Sequence, residues 1–282
     1  MTYESLLKVA YQKAKVLGKE EEAVKLLLME ISKKDPHQFY IDQKEVVDIE
    51  IEEVYLKYLH QYLHDDIPVQ HLIGHAYFYG YAFHVNQDVL IPRAETEQLV
   101  EHVLYYYDKY FQGQPTQVLD LGTGSGCIGL TLSLEEKNMS VTVSDISSAA
   151  LKVTTLNKEK LNANVEIIQS DLFKQIKGKF DIIVSNPPYI PDHEIVDKIV
   201  AKEPSVALYG GSLGIDFYEK IINESVNYLA EKALLAFEHG FQQREQILML
   251  ARKTFPEASI IQSKDLSGKD RFTFIGIGGV LR

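Results

Sequence analysis

The chain has a single cysteine and no apolar run long enough to cross a bilayer. One thiol excludes a disulfide framework and suits a reducing compartment, so a cytoplasmic protein is expected. Cys127 follows a glycine-rich stretch and reads as a small buried residue rather than a reactive thiol. A signal-peptide core, an internal repeat and a low-complexity tract are likewise missing. Positive charge is in short supply: 29 Lys and Arg stand against 40 Asp and Glu, a formal charge of −11. Wrapping a duplex takes several phosphate-neutralising cations, which argues strongly against DNA and moderately against RNA. The deficit includes residues 1–75, where nine Lys, no Arg and fourteen Asp or Glu give −5. An acidic segment of this kind suits docking to a protein partner with basic patches. His60 and His64 have the i, i+4 spacing of metal ligands but lack a third, so a solvated helix face is read and no metal is expected. Ser125 and Ser212 show no nucleophile-elbow spacing.

What is present is organised in two styles. At 282 residues and 45% apolar content the chain can bury a real core and holds two domains. Helical spacing runs over residues 2–17, with Leu6, Leu7, Ala10, Ala14 and Leu17 on one stripe and Gly18 as a stop. It resumes over 20–32 and 51–64, so residues 1–74 read as a small helical domain. Tyr77 to Val85, crossing Gly80, reads as a β-hairpin within a linker of residues 75–92. A helix over Glu95–Phe111 opens the larger domain, residues 93–282, with Tyr105, Tyr106 and Tyr107 as core and rim. From Val118 strands and helices alternate, which predicts an α/β fold with a doubly wound parallel sheet. Ala258–Gln262 and Arg271–Gly276 would form its antiparallel edge.

Chemistry concentrates where strands end. Ile182, Ile183 and Val184 read as a fully buried strand, followed at once by Asn186-Pro187-Pro188-Tyr189. Two prolines stop the strand, and Pro187 holds Asn186 extended. Asn186 Oδ1 and the Pro187 carbonyl are both acceptors, so together they can hold the two hydrogens of a planar –NH2 group. Amide nitrogens are poor nucleophiles because their lone pair is delocalised; two acceptors that draw the N–H bonds out of plane would free it. Tyr189 offers a flat surface for such a group. The plain alternative, a polar turn after a strand, accounts less well for so particular a tetrapeptide.

Upstream, Gln117-Val-Leu-Asp120-Leu-Gly122-Thr123-Gly124-Ser125-Gly126 is an apolar strand followed by three alternating glycines. Counted from the strand end the dinucleotide fingerprint fails at Cys127, and no Gly-Lys-Ser/Thr follows, so a P-loop is excluded. A second strand ends at Asp145, suited to ribose hydroxyls, and a third at Asp171, suited to an adenine amino group with Leu172 and Phe173 against the ring. Each Asp alone could be a helix cap. Several polar groups in series at one sheet edge are better read as a nucleoside site.

At this point the chain resembles the S-adenosylmethionine-dependent methyltransferases that act on exocyclic or amide nitrogens. Pro68-Val-Gln-His-Leu-Ile-Gly74, Phe83-His-Val85 and Val89-Leu-Ile-Pro92-Arg93-Ala-Glu95-Thr-Glu97 narrow the resemblance to the release-factor glutamine N5-methyltransferases, the PrmC/HemK family. Glu203-Pro204, Gly210-Gly211 and Lys264-Asp-Leu-Ser-Gly-Lys-Asp-Arg271 agree. Two positions depart: Ala94 stands where the family has proline, and His239 where it has an aliphatic residue. The resemblance implies a seven-stranded methyltransferase sheet joined by a β-hairpin to the helical domain, and S-adenosyl-L-methionine as cofactor. Asp120, Gly122, Thr123, Gly124, Ser125, Gly126, Asp145, Asp171, Leu172 and Asn186 would bind it. Asn186, Pro187 and Tyr189 would be catalytic, with Pro188, Arg93 and Glu95 completing the substrate site. The implied acceptor is the glutamine of the Gly-Gly-Gln loop in class 1 peptide chain release factors, which ties the enzyme to translation termination. A ribosomal-protein glutamine is the alternative acceptor, and a nucleic-acid exocyclic amine a more distant one. The chain is expected to act as a monomer.

Overall fold

The computed structural model describes residues 1–282 and divides into two compact units, Met1–His75 with Val196–Lys202, and Ala76–Ile195 with Glu203–Arg282. No helix is long and apolar enough to cross a membrane.

The first unit is helical: α1 (Tyr3–Val16), α2 (Glu21–Ser32), α3 (Pro36–Ile41), α4 (Ile49–His64) and α5 (Val69–Ile73). Three starts are capped by side chains, Thr2 on α1, Asp35 on α3 and Asp48 on α4, each accepting from an otherwise orphaned N–H. The expected stripe on α1 is largely buried at Leu6, Ala10 and Ala14, but Leu17 lies beyond the helix end and is 44% exposed. These residues pack with Val24, Leu27 and Leu28 of α2 and Tyr55, Leu59 and Tyr62 of α4, and Ile199 rests on the same cluster. α3 and α5 are one or two turns long, too short for a periodic signal. Only the Asp35-Pro36 start of α3 leaves a local trace.

The second unit opens with the hairpin β1 (His75–Phe78) and β2 (Tyr81–His84), turned through Tyr79 and Gly80, both at positive φ. Helix α6 (Ala94–Tyr106) ends in a π-helical turn over Tyr107–Phe111, where one straight helix was expected. Then follow β3 (Thr116–Leu121), α7 (Cys127–Glu135), β4 (Met139–Asp145), α8 (Ser148–Leu161), β5 (Val165–Gln169) and β6 (Phe180–Ser185). The unit ends with α9 (Asp216–Ser225), β7 (Leu229–Glu238), α10 (Arg244–Thr254), β8 (Ser259–Lys264) and β9 (Asp270–Ile277). Seven strands form one sheet in the order β5-β4-β3-β6-β7-β9-β8. All pairings are parallel except those of β9, which runs antiparallel between β7 and β8.

The strands are apolar on both faces because both are covered. Val118, Ile182, Val184, Leu234 and Ala236 pack with Leu99 and Val103 of α6 and Ile128 and Leu130 of α7. Their neighbours Leu119, Ile183, Leu235 and Phe237 pack on the other face with Tyr218, Ile221 and Ile222 of α9 and Ile247 of α10. This period-two partition makes a three-layer α/β sandwich. Strand order reverses between β3 and β6, so the chain opens a crevice beyond their carboxyl ends.

Candidate active site

Leu121 lies in register with Ser144 on one side and Ser185 on the other, so the segments leaving β3, β4 and β6 start from one level. The Ser185 hydroxyl donates to the Leu121 carbonyl at 2.6 Å, locking β6 to β3 at that point. The Gly122 and Thr123 amides both donate to the Ser144 carbonyl at 2.9 Å, which turns the glycine loop across β4. Gly124 and Gly126 have φ of +57° and +86°, left-handed values that favour glycine, and Gly126 feeds directly into α7. From α8 below, Thr154 Oγ1 donates to the Gly124 carbonyl at 2.8 Å and Asn157 Nδ2 to the Ser125 carbonyl at 2.8 Å. The loop is held from beneath by side chains its own sequence does not announce.

Three carboxylates lie at or next to strand ends here, and burial raises the pKa of each. Asp145 accepts from the Gly124 amide (2.9 Å, Oδ2) and the Ser147 amide (2.8 Å, Oδ1), and burial still raises its pKa. Glu238, at the end of β7, is fully buried, and burial pushes its pKa up to about 7 against the opposing pull of Thr96 and Arg271. Asp120 is also fully buried: Oδ2 accepts from Thr123 Oγ1 at 2.6 Å and the Gly129 amide at 3.0 Å, while Oδ1 has no partner. Burial pushes its pKa up to about 7 as well. A raised acid pKa means that the folded chain holds the proton better than the unfolded one. Stability from this group is therefore full below pH 3.8, the unfolded value, and declines as the pH rises through about 7. Asp120→Asn removes that decline, so at pH 8 the ligand-free variant is expected to melt several degrees above the wild type. A lower or unchanged midpoint in a thermal scan would contradict burial as the origin of the shift.

Gly122, Thr123, Gly124, Ser125 and Asp145 line one cavity, together with Asp171, Leu172, Asn186, Pro187, Pro188 and Arg93. Asp120, Gly126, Tyr189 and Glu95 do not line it. Asp171 lies two residues past the end of β5 and accepts from Lys174 Nζ at 2.7 Å. Leu172 adopts φ +49°, a strained value for leucine, and Ser170 holds it by donating to its carbonyl at 2.6 Å. Phe173, expected to pack on a ligand ring alongside Leu172, instead stacks on Tyr228 within the core. Arg93 is paired with the buried carboxylate of Glu203, whose other oxygen accepts from the Ile91 amide at 2.8 Å. Its guanidinium therefore ties the Pro92 wall to the Pro204 wall. Glu95 sits in the first turn of α6. Cys127 is buried, and its thiol is pushed up to about 12, an inert state.

Around the tetrapeptide, the Tyr189 carbonyl accepts from Gln243 Nε2 at 2.6 Å, and the same amide nitrogen donates to Gly214 at 3.1 Å. Gln243 Oε1 accepts from the Gly240 amide at 2.9 Å. Asn186 Nδ2 donates to Thr96 Oγ1 at 3.2 Å, and Thr96 Oγ1 donates to Glu238 Oε2 at 2.7 Å. Asn186 Oδ1 and the Pro187 carbonyl receive no donor from the chain. His239, the departure from the family pattern, is buried behind the site, with Nδ1 on the Gly240 carbonyl and Nε2 on the Thr273 hydroxyl. Thr96, Gln243 and Ser170 went unread in the sequence. Glu238 did carry a signal, as a lone carboxylate closing an apolar strand, the same pattern that marks Asp120 and Asp145.

A seven-stranded sheet with one reversed strand, a glycine loop after β3 and an Asn-Pro-Pro-Tyr after β6 define an S-adenosylmethionine-dependent methyltransferase fold. Residues 97–245 match the model of the methyltransferase small domain family. The release factor glutamine methyltransferase of Bacillus subtilis (strain 168) is 40% identical over 262 residues, 90% of each chain. That of Bacillus anthracis is 38% identical over 266 residues, 92% of this chain and 94% of its own. A methyltransferase crystal structure from Pyrococcus furiosus shares the fold, with a TM-score of 0.52 at 20% identity over 72% of this chain and 91% of that one. The chain belongs to the release factor glutamine methyltransferase family.

Proposed function

We propose that the cavity binds S-adenosyl-L-methionine beside the side-chain amide of a release-factor glutamine, and that Asn186 and Pro187 present that amide nitrogen for methylation. The observation that carries this reading is a pair of acceptors, Asn186 Oδ1 and the Pro187 carbonyl, both without donors, next to the glycine loop on one cavity. The residues present fit the cofactor. Ser125 lines the cavity and its Oγ lacks a partner, which leaves it for the methionine end of the cofactor, and the unpartnered Asp120 Oδ1 behind that wall would favour a cationic amino group there by its charge. Asp145 retains lone pairs for ribose hydroxyls, and the Leu172 side chain supports the base.

When bound, the cofactor supplies an electrophilic methyl group on a sulfonium. The chain does the rest by positioning. The two acceptors take both N–H hydrogens of the glutamine amide and leave its lone pair facing the methyl. Transfer would form the nitrogen–carbon bond while the sulfur leaves with the electron pair of its broken bond as a neutral thioether, and the methylated nitrogen would release one proton to water. That proton becomes acidic only after methylation, so no residue must act as a strong base beforehand. Tyr189 braces the tetrapeptide from the core side, its phenol pushed up to about 12 by burial and therefore neutral. The acceptor loop would be the Gly-Gly-Gln loop of a class 1 release factor, with the acidic helical unit as the surface that meets the factor.

The test is transfer of labelled methyl from S-adenosylmethionine to purified release factor. The same factor with Gln→Ala in its Gly-Gly-Gln loop, ribosomal proteins and DNA are offered separately. Label on the intact factor and not on its variant is the expected result. Label confined to ribosomal protein or nucleic acid would overturn the acceptor and leave the fold and cofactor standing.

A further inference from the structure

The two ends of an asparagine amide have nearly the same shape and opposite hydrogen-bonding character. A claw for –NH2 works only with Oδ1 turned toward the substrate; with Nδ2 there it would repel the donor it should hold. A hydroxyl alone could not choose between the ends, because it both donates and accepts. Glu238 removes the ambiguity. Its carboxylate, when ionised, only accepts, and it takes the Thr96 hydroxyl proton at 2.7 Å. Thr96 Oγ1 is left with acceptor capacity toward Asn186, and Nδ2 meets it at 3.2 Å.

We propose that Thr96 and Glu238 are positioning residues that set which end of the Asn186 amide faces the substrate. The proposal rests on the methyl-transfer reading above and adds residues that lie 90 and 52 positions from Asn186 in the chain. Glu238 does not line the cavity, whereas Thr96 and Asn186 do; the carboxylate acts through the Thr96 hydroxyl and, more weakly, by its own attraction for the Asn186 amide hydrogens. A neutral amide of the same shape would fill the space beneath Thr96 without the cost of burying a charge. What a carboxylate offers there, and glutamine does not, is one-way polarity. The rest of its surroundings is arranged to keep it in place. The Tyr218 hydroxyl donates to the Glu238 main-chain carbonyl at 2.8 Å, and Arg271, held by Asp265 at 3.1 Å, favours the charged form.

The test compares Thr96→Val, Thr96→Ser, Glu238→Gln and the Val/Gln double variant with the wild type. It measures kcat and KM on release factor, the S-adenosylmethionine dissociation constant and the melting temperature. Thr96→Val and Glu238→Gln are each expected to lower kcat about tenfold or more, with cofactor affinity within about threefold of wild type. The double variant is expected to fall no more than about twofold below the weaker single, because both act through one amide. Thr96→Ser keeps the hydroxyl and is expected to recover most of the rate lost in Thr96→Val. Wild-type kcat in either folded single variant, additive losses, or failure of both to fold would overturn the proposal. Absence of glutamine methylation by the wild type would instead overturn the reading beneath it.

Discussion

Asn186→Ala is expected to lower kcat by about 10²- to 10³-fold while the S-adenosylmethionine dissociation constant stays within about threefold of wild type. The substitution removes one of two acceptors that hold the reacting –NH2, and the Pro187 carbonyl alone fixes one N–H and leaves the nitrogen free to rotate. Alanine also leaves Thr96 Oγ1 without its Nδ2 partner, yet Thr96 keeps its bond to Glu238, so the wall of the cavity persists. Isothermal titration and single-turnover transfer measured on one preparation separate the two quantities. An equal loss of turnover and cofactor affinity would assign Asn186 to the cofactor and remove it from the claw.

Asp145→Ala is expected to behave in the opposite way, weakening cofactor binding by about 10²-fold or more and sparing kcat at saturation. Two effects combine. Hydrogen bonds from ribose hydroxyls to a carboxylate contribute about 1.5–3 kcal/mol each. The substitution also releases the Gly124 and Ser147 amides, which Asp145 ties at 2.9 and 2.8 Å, so the glycine loop loses an anchor. Asp145→Asn keeps one acceptor and should fall between the two. An unchanged dissociation constant in Asp145→Ala would remove the residue from the ribose role.

The parts of this molecule that were legible in its sequence are those written in short contiguous stretches. Glycines on alternate positions, a carboxylate closing an apolar strand and a proline pair after another are each local, and the doubly wound sheet brings their ends together at one reversal of strand order. The supports are not local. Thr96 reaches Glu238 across 142 positions, Asn157 reaches the Ser125 carbonyl across 32, and Gln243 reaches Tyr189 across 54. No periodicity records such a pairing. Arg93 belongs to a local motif and lines the cavity, but its partner Glu203 lies 110 positions on, and no pattern in the sequence announces that pair. Backbone strain was equally silent, since nothing about Leu172 as a residue type suggests φ +49°.

Val196–Lys202 belongs with the helical unit although it is encoded among the strands and helices of the other. Ile199 is part of that unit's apolar packing, so residues 1–75 do not contain everything that their own core uses. The helical unit is thus not a cassette with one join. A chimera exchanging it between relatives has to transplant two stretches of gene, and substitutions in the cluster around Leu28 and Tyr55 are constrained by a heptapeptide read out more than a hundred codons later.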